Sequence, residues 1–183
     1  MFRGLTIPTL WRIEQLNHRT YILILSTIRP TPIEAHERYG YPGCFPSWET
    51  WDYDGELEHI HPGMRRSFRL DAAVMADAEH SLADQVRLAA KMSARERQDW
   101  LLSQEQRLGC HFEELVNEQS SAVFLPHPQQ DQELMAQTVV FTGLLTVNDA
   151  DLFRAALVQG VGALKKYGFG LMTTDSPGNW YHI

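Results

Sequence analysis

The sequence is poor in cysteine, with only Cys44 and Cys110 among its 183 residues. Two cysteines cannot build the disulfide framework that small secreted domains need, so we expect a reduced, cytoplasmic setting. No CxxC pair and no paired His/Cys cluster is present, and we expect neither a metal nor another cofactor. The longest apolar run, YILIL at 21–25, is far too short to cross a bilayer, which argues against a membrane partner.

Positive charge is also scarce, with 16 Lys and Arg against 23 Asp and Glu and a formal net charge of −7. Nucleic-acid affinity comes largely from neutralised phosphates, so this balance argues against a generic nucleic-acid binder. The charge balance is still compatible with one local basic face, because the charges are unevenly distributed. Most basic clusters lie after residue 64, while acidic residues concentrate in 49–58 and 113–133. With 44% apolar residues, the chain can form a core as one domain or as two small ones.

The first 63 residues are irregularly patterned. A strand is predicted over 2–7, before Pro8, and a helix over about 10–26 from the apolar positions Leu10, Ile13 and Leu16. Five prolines then interrupt 29–63, leaving short strands or turns around 48–53 and 57–60. The HPG sequence at 61–63 is a plausible junction, and we predict an N-terminal domain over 1–63 and a C-terminal domain over 64–183.

The second part is better patterned. A strand is expected at RRSFRLDAAVMA, with Phe68, Leu70 and Ala72 on one face, and a helix from the Ser93/Glu96 capping box to Gly109. Further strands are predicted at 110–116, 120–125, 138–147, with Gly143 marking a bulge, and 170–173. A helix capped by 148–149 is predicted at 149–159, with Leu152, Ala155, Ala156 and Leu157 on its apolar face. This order favours an α+β fold of the split βαβ, ferredoxin-like kind, and the first part could be a shortened copy.

The stretch VQGVGALKKYGFGLM at 158–172 carries four glycines and two adjacent lysines. It does not match GxxxxGK[ST], and Lys165 occupies the third glycine position of GxGxxG, so standard nucleotide motifs are excluded. Two interpretations stay open. The glycines could close a helix and permit tight packing, or the exposed amides and lysine ammonium groups could bind a phosphodiester chain.

Together with the strand and helix before it, this stretch resembles the RAMP superfamily, and within it the CasE kind of CRISPR RNA-processing endoribonuclease. The family pattern is F-x-G-x-L-T-x-x-D, a helix, and then GxGxxKxxGxGL. The residues in register are Phe141, Gly143, Leu145, Thr146, Asp149, Gly160, Gly162, Lys165, Gly168, Gly170 and Leu171. The resemblance implies tandem ferredoxin-like (RRM-like) domains, of which the N-terminal one is shortened or irregular here.

The resemblance further implies a metal-independent endoribonuclease that cleaves CRISPR precursor RNA at the 3′ base of the repeat hairpin. The 2′-hydroxyl attacks the adjacent phosphate and leaves a 2′,3′-cyclic product, which requires a base, an acid and positive charge. The implied partners are the CRISPR RNA stem-loop, which stays bound, and other effector-complex subunits, including a backbone subunit. The alternative is a catalytically inactive subunit for hairpin binding and assembly.

The family's catalytic histidine lies on the first helix of the N-terminal domain, and QLNHRTY at 15–21 falls at the corresponding place. The resemblance therefore nominates His18 as general acid/base, with Arg19 bracing the phosphate and Tyr21 orienting or donating a proton. A surface histidine without function is the alternative. The expected RNA-binding residues come from the glycine-rich stretch and from basic positions of the C-terminal domain: Gly160, Gly162, Lys165, Lys166, Gly168, Gly170, Arg69, Lys91, Arg95 and Arg97. The pair His59-x-His61 could bind a metal only with a third ligand.

Overall fold

The computed structural model describes residues 9–16, 18–29, 37, 48–75, 81–125 and 134–177. The strands in these ranges are β1 (Thr9–Leu16), β2 (Arg19–Ser26), β3 (Arg65–Ala73), β4 (Cys110–Leu125), β5 (Leu134–Val147) and β6 (Met172–Asp175). The helices are α1 (Asp54–Glu58), α2 (Leu82–Ala89), α3 (Ala94–Ser103), α4 (Glu105–Leu108) and α5 (Ala150–Gln159), followed by a 3₁₀ turn at Lys165–Tyr167. No helix in the described part of the chain is long and apolar enough to span a bilayer.

The second half has the predicted ferredoxin-like arrangement. Its strands form an antiparallel sheet in the order β4-β5-β3-β6, and helices follow β3 and β5. This is the β–α–β–β–α–β connectivity of the split βαβ fold. Phe68 and Leu70 of β3 and Phe141 of β5 are fully buried against the helices. The α+β prediction is confirmed, as is the shared face of Phe68, Leu70 and Ala72.

The single helix predicted from Ser93 to Gly109 is divided at Gln104 into α3 and α4, but its outer ends lie where the sequence placed them. Ser93 and Glu96 form the capping box of α3, and Gly109 ends α4 in a left-handed conformation. Asp149 caps α5 by accepting hydrogen bonds from the amides of residues 151 and 152. The predicted apolar face of α5 is wrong in one respect: Leu152 is 45% exposed, and Phe153 is buried in its place. Both are apolar and one position apart, so periodicity alone could not choose between them.

The two short strands predicted at 110–116 and 120–125 are one long strand, β4, which forms a hairpin with β5. Its register shifts between Phe112 and Glu114 and again between Leu115 and Asn117. The predicted irregularity at Gly143 is therefore a pair of bulges on the partner strand. A side chain at Gly143 would overlap the carbonyl of Glu114, so glycine is required where the bulged strand comes close.

The predicted helix over 10–26 is wrong, because these residues form the antiparallel hairpin β1–β2 with Ile13 opposite Ile22. The β-branched residues in this stretch, among them Ile13, Ile22 and Ile24, favour strands over a helix. Around 57–60, where short strands or turns were predicted, there is no strand: Leu57 and Glu58 end α1, and His59 lies in a turn. Asp54 and Glu56 lie in the first turn of α1, where acidic side chains stabilise a helix. Residues 48–53 lie outside regular elements, and the strand predicted over 2–7 lies outside the described residues.

The N-terminal hairpin packs directly on the second half of the chain. Leu10 of β1 is buried beside Gly160, and Arg12 of β1 donates a hydrogen bond to the Leu171 carbonyl next to β6. The hairpin thus contacts the segment between α5 and β6, which is the glycine-rich stretch. The division into domains at residue 63 stays a prediction.

Candidate nucleic-acid interface

The segment Gly160–Leu171, called here the glycine loop, is held by its own backbone hydrogen bonds. The Gly160 amide donates to Ala156 at 2.8 Å, the Val161 amide to Gly170 at 2.8 Å, and the Gly168 amide to Lys165 at 3.1 Å. The Gly170 amide donates to the Asp71 carbonyl of β3 at 2.7 Å. These four amides are satisfied inside the protein, so they are not available to a phosphate.

The glycines of the loop lie against side chains from distant parts of the sequence. All four have positive φ, at 77° for Gly160, 76° for Gly162, 92° for Gly168 and 87° for Gly170. A Cβ on Gly160 would be 2.8 Å from Leu10, one on Gly168 would be 2.8 Å from Trp11, and one on Gly162 would be 3.3 Å from Trp100 of α3. The structure thus gives the glycines a packing role, which is the first of the two interpretations left open by the sequence.

The two lysines of the loop have different surroundings. The Lys165 ammonium donates to the Gln159 carbonyl at 2.8 Å, at the C-terminal end of α5. Burial, and then the nearby charge of Arg107, lower the pKa of Lys165. Lys166 is exposed, and its ammonium lies 4.7 Å from the Tyr167 ring centroid. A phosphate can therefore contact Lys166 directly, whereas at Lys165 it would compete with the C-terminal end of α5 for the ammonium group.

Arg69 belongs to a chain of four charged side chains between the hairpin and the sheet. Glu14 of β1 pairs with Arg12 at 2.8 Å and with Arg69 at 2.9 Å, and Arg69 also pairs with Asp71 at 3.1 Å. Arg12 is 2% exposed and donates to the Thr173 hydroxyl at 3.1 Å. Burial lowers the pKa of Arg12, and the Asp71 and Glu14 charges oppose that shift. We call these four residues the ionic latch.

The ionic latch was not predicted, and it changes what can be expected of Arg69. Its guanidinium is already matched by two carboxylates, so a phosphate would have to compete with them. The sequence offered one signal, the charged Arg12 and Glu14 alternating with apolar Trp11 and Ile13. That signal can be interpreted only if the segment is a strand, because alternation along a strand places Arg12 and Glu14 on the same face.

The predicted RNA-binding residues Lys91, Arg95 and Arg97, which lie just before α3 or in it, also divide into two kinds. Arg97 pairs with Glu118 at 2.6 Å and donates to the Met92 carbonyl at 2.6 Å, so it links α3 to β4. Lys91 and Arg95 are exposed and form no ion pair within the described residues. These two side chains can therefore take part in phosphate contacts.

The predicted catalytic residues His18, Arg19 and Tyr21 lie at or next to the turn that connects β1 and β2. His18 lies at the turn with φ 61°, Arg19 begins β2, and Tyr21 is 42% exposed and opposite Glu14. The prediction of a helix around His18 is wrong, because the residue connects two strands. The hairpin still brings His18, Arg19 and Tyr21 to one end, and alternation puts Arg19 and Tyr21 on the face shared with Arg12 and Glu14.

The two histidines of the His59-x-His61 pair make local contacts. His59 Nδ1 lies 2.5 Å from the Gly55 carbonyl at the end of α1, and His61 Nδ1 lies 3.1 Å from the Pro62 carbonyl. No group of three or more potential metal ligands is found among the described side chains. Cys110 is buried at the start of β4, and burial raises the pKa of its thiol to about 12.

Comparison with known proteins finds a match to one family. The family model described as CRISPR associated protein matches residues 4–175. Thermus thermophilus Cse3 bound to an RNA representing a pre-cleavage complex is 25% identical, with a TM-score of 0.67 over 92% of this chain and 78% of that one. Cas6e of Escherichia coli K-12 is 19% identical, with a TM-score of 0.57 over 92% and 84%. A chain of a CRISPR RNA-guided surveillance complex is 20% identical, with a TM-score of 0.59 over 96% and 83%. A search of curated protein sequences finds no match.

Proposed function

Because this chain belongs to the family of CRISPR-associated proteins, we propose that it binds the stem-loop of CRISPR repeat RNA and cleaves the precursor at the 3′ base of that hairpin. The observation that carries this proposal is the likeness to Cse3 in an RNA-bound, pre-cleavage state, at 25% identity over 92% of the chain. The ferredoxin-like fold of the second half and the arrangement of the glycine loop support it.

RNA binding is assigned to the exposed cations Lys91, Arg95 and Lys166. Each has a charge that no described carboxylate neutralises, whereas Arg97 and Arg69 are engaged in ion pairs. RNA helices are recognised mainly by shape and by phosphate and 2′-hydroxyl contacts, so a few such cations can supply the phosphate contacts of an acidic protein. The glycine loop contributes by fixing the position of Lys166.

Cleavage is assigned to the end of the hairpin that carries His18, Arg19 and Tyr21. A base removes the proton of the 2′-hydroxyl, the 2′-oxygen bonds to phosphorus, and the bond from phosphorus to the 5′-oxygen breaks as an acid protonates that oxygen. The products are a 2′,3′-cyclic phosphate and a 5′-hydroxyl. An imidazole can serve as base or acid near neutral pH, and a guanidinium beside it stabilises the extra negative charge of the phosphorane.

A second candidate function is binding of the crRNA hairpin and assembly without cleavage. The observation that favours it is the position of His18, which lies exposed at a turn with no described hydrogen bond to orient its ring. Efficient proton transfer needs a positioned group. In this candidate function the protein remains on the 3′ hairpin of a crRNA matured by another activity.

The deciding experiment is cleavage of the cognate repeat RNA in EDTA by the wild-type protein and by His18→Ala, with His61→Ala as the matched control. The proposal predicts a 2′,3′-cyclic end from wild type and His61→Ala, and strongly reduced cleavage with retained binding for His18→Ala. Undiminished cleavage by His18→Ala would remove the catalytic assignment. Tight hairpin binding by wild type without any cleavage would establish the second candidate function.

Membership of an effector complex is part of the same proposal. The fold is shared with a chain of an RNA-guided surveillance complex, and a protein that stays on the 3′ hairpin of its product is placed to join such a complex. We retain the division into an N-terminal domain over 1–63 and a C-terminal domain over 64–183. Co-purification of crRNA and the neighbouring subunits with a tagged chain tests the membership directly.

A further inference from the structure

Arg107 is an exposed cation that the site described above does not use. It lies on α4 and forms no ion pair with a carboxylate in the described part of the chain. Its guanidinium donates instead to the side-chain oxygen of Gln104 at 2.9 Å. The partner of Arg107 is therefore a neutral amide, and no described carboxylate compensates its positive charge.

The side chain of Arg107 is oriented by a short series of hydrogen bonds. Gln104, which accepts from Arg107, donates to the Trp100 carbonyl at 3.4 Å and to the Ser103 hydroxyl at 3.0 Å. The Ser103 hydroxyl donates in turn to the Trp100 carbonyl at 2.7 Å. A guanidinium that is already oriented loses less conformational freedom when it binds an anion.

Arg107 also lies on the side of α3 and α4 that faces the glycine loop. Gln104 joins these two helices in a right-handed helical conformation, with φ −82° and ψ −14°, so the helical path continues through it. Trp100 and Arg107 are seven positions apart, which is about two helical turns, and they therefore share one side. Trp100 contacts the loop, since a Cβ on Gly162 would be 3.3 Å from its ring.

The electrostatic surroundings of Lys165 support the same placement. Burial, and then the charge of Arg107, lower the pKa of Lys165. The Lys165 ammonium donates to the neutral Gln159 carbonyl, so this cation is not matched by a described carboxylate either. Two like charges near each other raise the free energy of the unbound protein, and an anion beside them lowers it.

From this arrangement we propose that Arg107 is a further RNA-binding residue, which contacts a backbone phosphate of the repeat hairpin beside the glycine loop. The inference rests on the proposed function and adds a cation from α4 to it. A guanidinium suits this role because its planar N–H groups can donate two parallel hydrogen bonds to the oxygens of one phosphate.

The first test measures hairpin affinity against salt for Arg107→Met. We expect an unchanged melting temperature, about tenfold weaker binding at low salt, and a slope of log affinity against log salt that is lower by about 1. The matched control is Arg87→Met, which removes the same charge from a side chain of α2 that is 72% exposed. It should keep the wild-type slope. Unchanged affinity and slope for Arg107→Met would overturn the inference and leave this charge to an acidic protein surface or to solvent.

Arg107→Lys separates the charge from the rest of the side chain. The lysine retains a phosphate contact but not the planar pair of donors, so this variant should keep the wild-type slope and bind more weakly than wild type. A slope as low as that of Arg107→Met would show that the loss does not come from the charge, and would also overturn the inference.

The second test needs no RNA. Because the charge of Arg107 lowers the pKa of Lys165, Arg107→Met should raise that pKa, whereas Arg87→Met should not. An NMR titration that observes the Lys165 side chain measures the shift. An unchanged pKa in Arg107→Met would show that Arg107 does not lie beside the glycine loop.

Failure of the underlying function is recognised separately. If the wild-type chain does not bind the repeat hairpin at any salt concentration, the proposed function is wrong and the role of Arg107 falls with it. If wild type binds and Lys166→Met lowers the slope while Arg107→Met does not, only the inference about Arg107 is wrong.

Discussion

The indole ring of Trp11 lies over the α carbon of Gly168, so that a Cβ atom on Gly168 would be 2.8 Å from Cζ3 of Trp11. These residues are 157 positions apart, one on the first strand of the N-terminal hairpin and the other in the glycine loop. Their contact, together with Leu10 on Gly160 and Arg12 on Leu171, joins the hairpin to the loop at three consecutive residues. The position of Lys166 therefore depends on β1.

Gly168→Ala should destabilise the protein by about 2–4 kcal/mol, because the residue has φ 92° and its new methyl group would overlap Trp11. Gly63→Ala is the matched control, since Gly63 has φ 82° but nothing lies within 4 Å of its Cβ position. It should cost about 1–2 kcal/mol, the conformational part alone. Urea denaturation measures both. Equal losses would show that the Trp11 contact contributes nothing.

We expect Lys165 to have a structural role and Lys166 to contact RNA. Lys165→Met removes the ammonium from the C-terminal end of α5 and should cost about 1 kcal/mol of stability. Lys166→Met should leave the melting temperature unchanged, weaken hairpin binding and lower the slope of log affinity against log salt by about 1. Filter binding from 50 to 300 mM salt measures the slope. An unchanged slope for Lys166→Met would contradict its phosphate contact.

Arg12→Met should be among the most damaging substitutions in the hairpin. It removes a buried guanidinium that pairs with Glu14 and donates hydrogen bonds to the Leu171 carbonyl and the Thr173 hydroxyl, while Glu14 keeps its pair with Arg69, so we expect a loss of about 1–3 kcal/mol. The matched control is Arg65→Met: Arg65 also pairs with a glutamate, Glu113, but is 55% exposed, and its loss should barely change the unfolding midpoint. A small effect of Arg12→Met in the same denaturation experiment would show that the ionic latch does not stabilise the fold.

Arg97 and Arg95 lie two residues apart on α3 and should respond in opposite ways. Arg97→Met should cost about 1.5–3 kcal/mol, because it breaks the pair with Glu118 and leaves the Met92 carbonyl without its donor. Arg95→Met should keep wild-type stability and weaken RNA binding. Melting curves and hairpin titrations on the same samples test both statements. Loss of stability in Arg95→Met would show that its charge has a structural role.

Stability should fall above pH 8.5 because of Cys110. Burial raises the pKa of its thiol to about 12, whereas the thiol of the unfolded chain ionises near pH 8.5. The folded state thus holds a proton that the unfolded state releases, and this contribution is full below the unfolded pKa and is lost as pH rises, at up to about 1.4 kcal/mol per pH unit. Cys110→Ala should flatten the dependence of the urea midpoint between pH 8 and 10.

Tyr53→Phe is the control for that measurement. Burial also raises the pKa of the Tyr53 hydroxyl, so its contribution begins above pH 10. Tyr53→Phe should therefore leave the slope between pH 8 and 10 as in wild type. A wild-type slope in Cys110→Ala would place the alkaline sensitivity elsewhere.

The second half of the chain could be predicted well from its sequence, because its signals are local. Three helix ends could be recognised directly in the sequence, because each is a short-range hydrogen-bond pattern: the Ser93/Glu96 capping box, the helix-ending Gly109 and the Asp149 cap. The alternation in β3 likewise identified Phe68 and Leu70 as core residues. Similar reasoning failed over 10–26, where apolar spacing fits a helix near Leu10 and Ile13 while the β-branched residues form a hairpin.

The sequence by itself therefore determined the ferredoxin-like second half and the family pattern around the glycine loop. Only the tertiary structure decided which basic side chains are engaged in ion pairs. Arg69 pairs with Glu14, which is 55 positions away, and Arg97 pairs with Glu118, which is 21 positions away. The tertiary structure also decided the role of the glycines, because the side chains that crowd them come from β1 and α3. The physical reason is the same in both cases: charge compensation and steric contact depend on distance in space, which local sequence patterns do not encode.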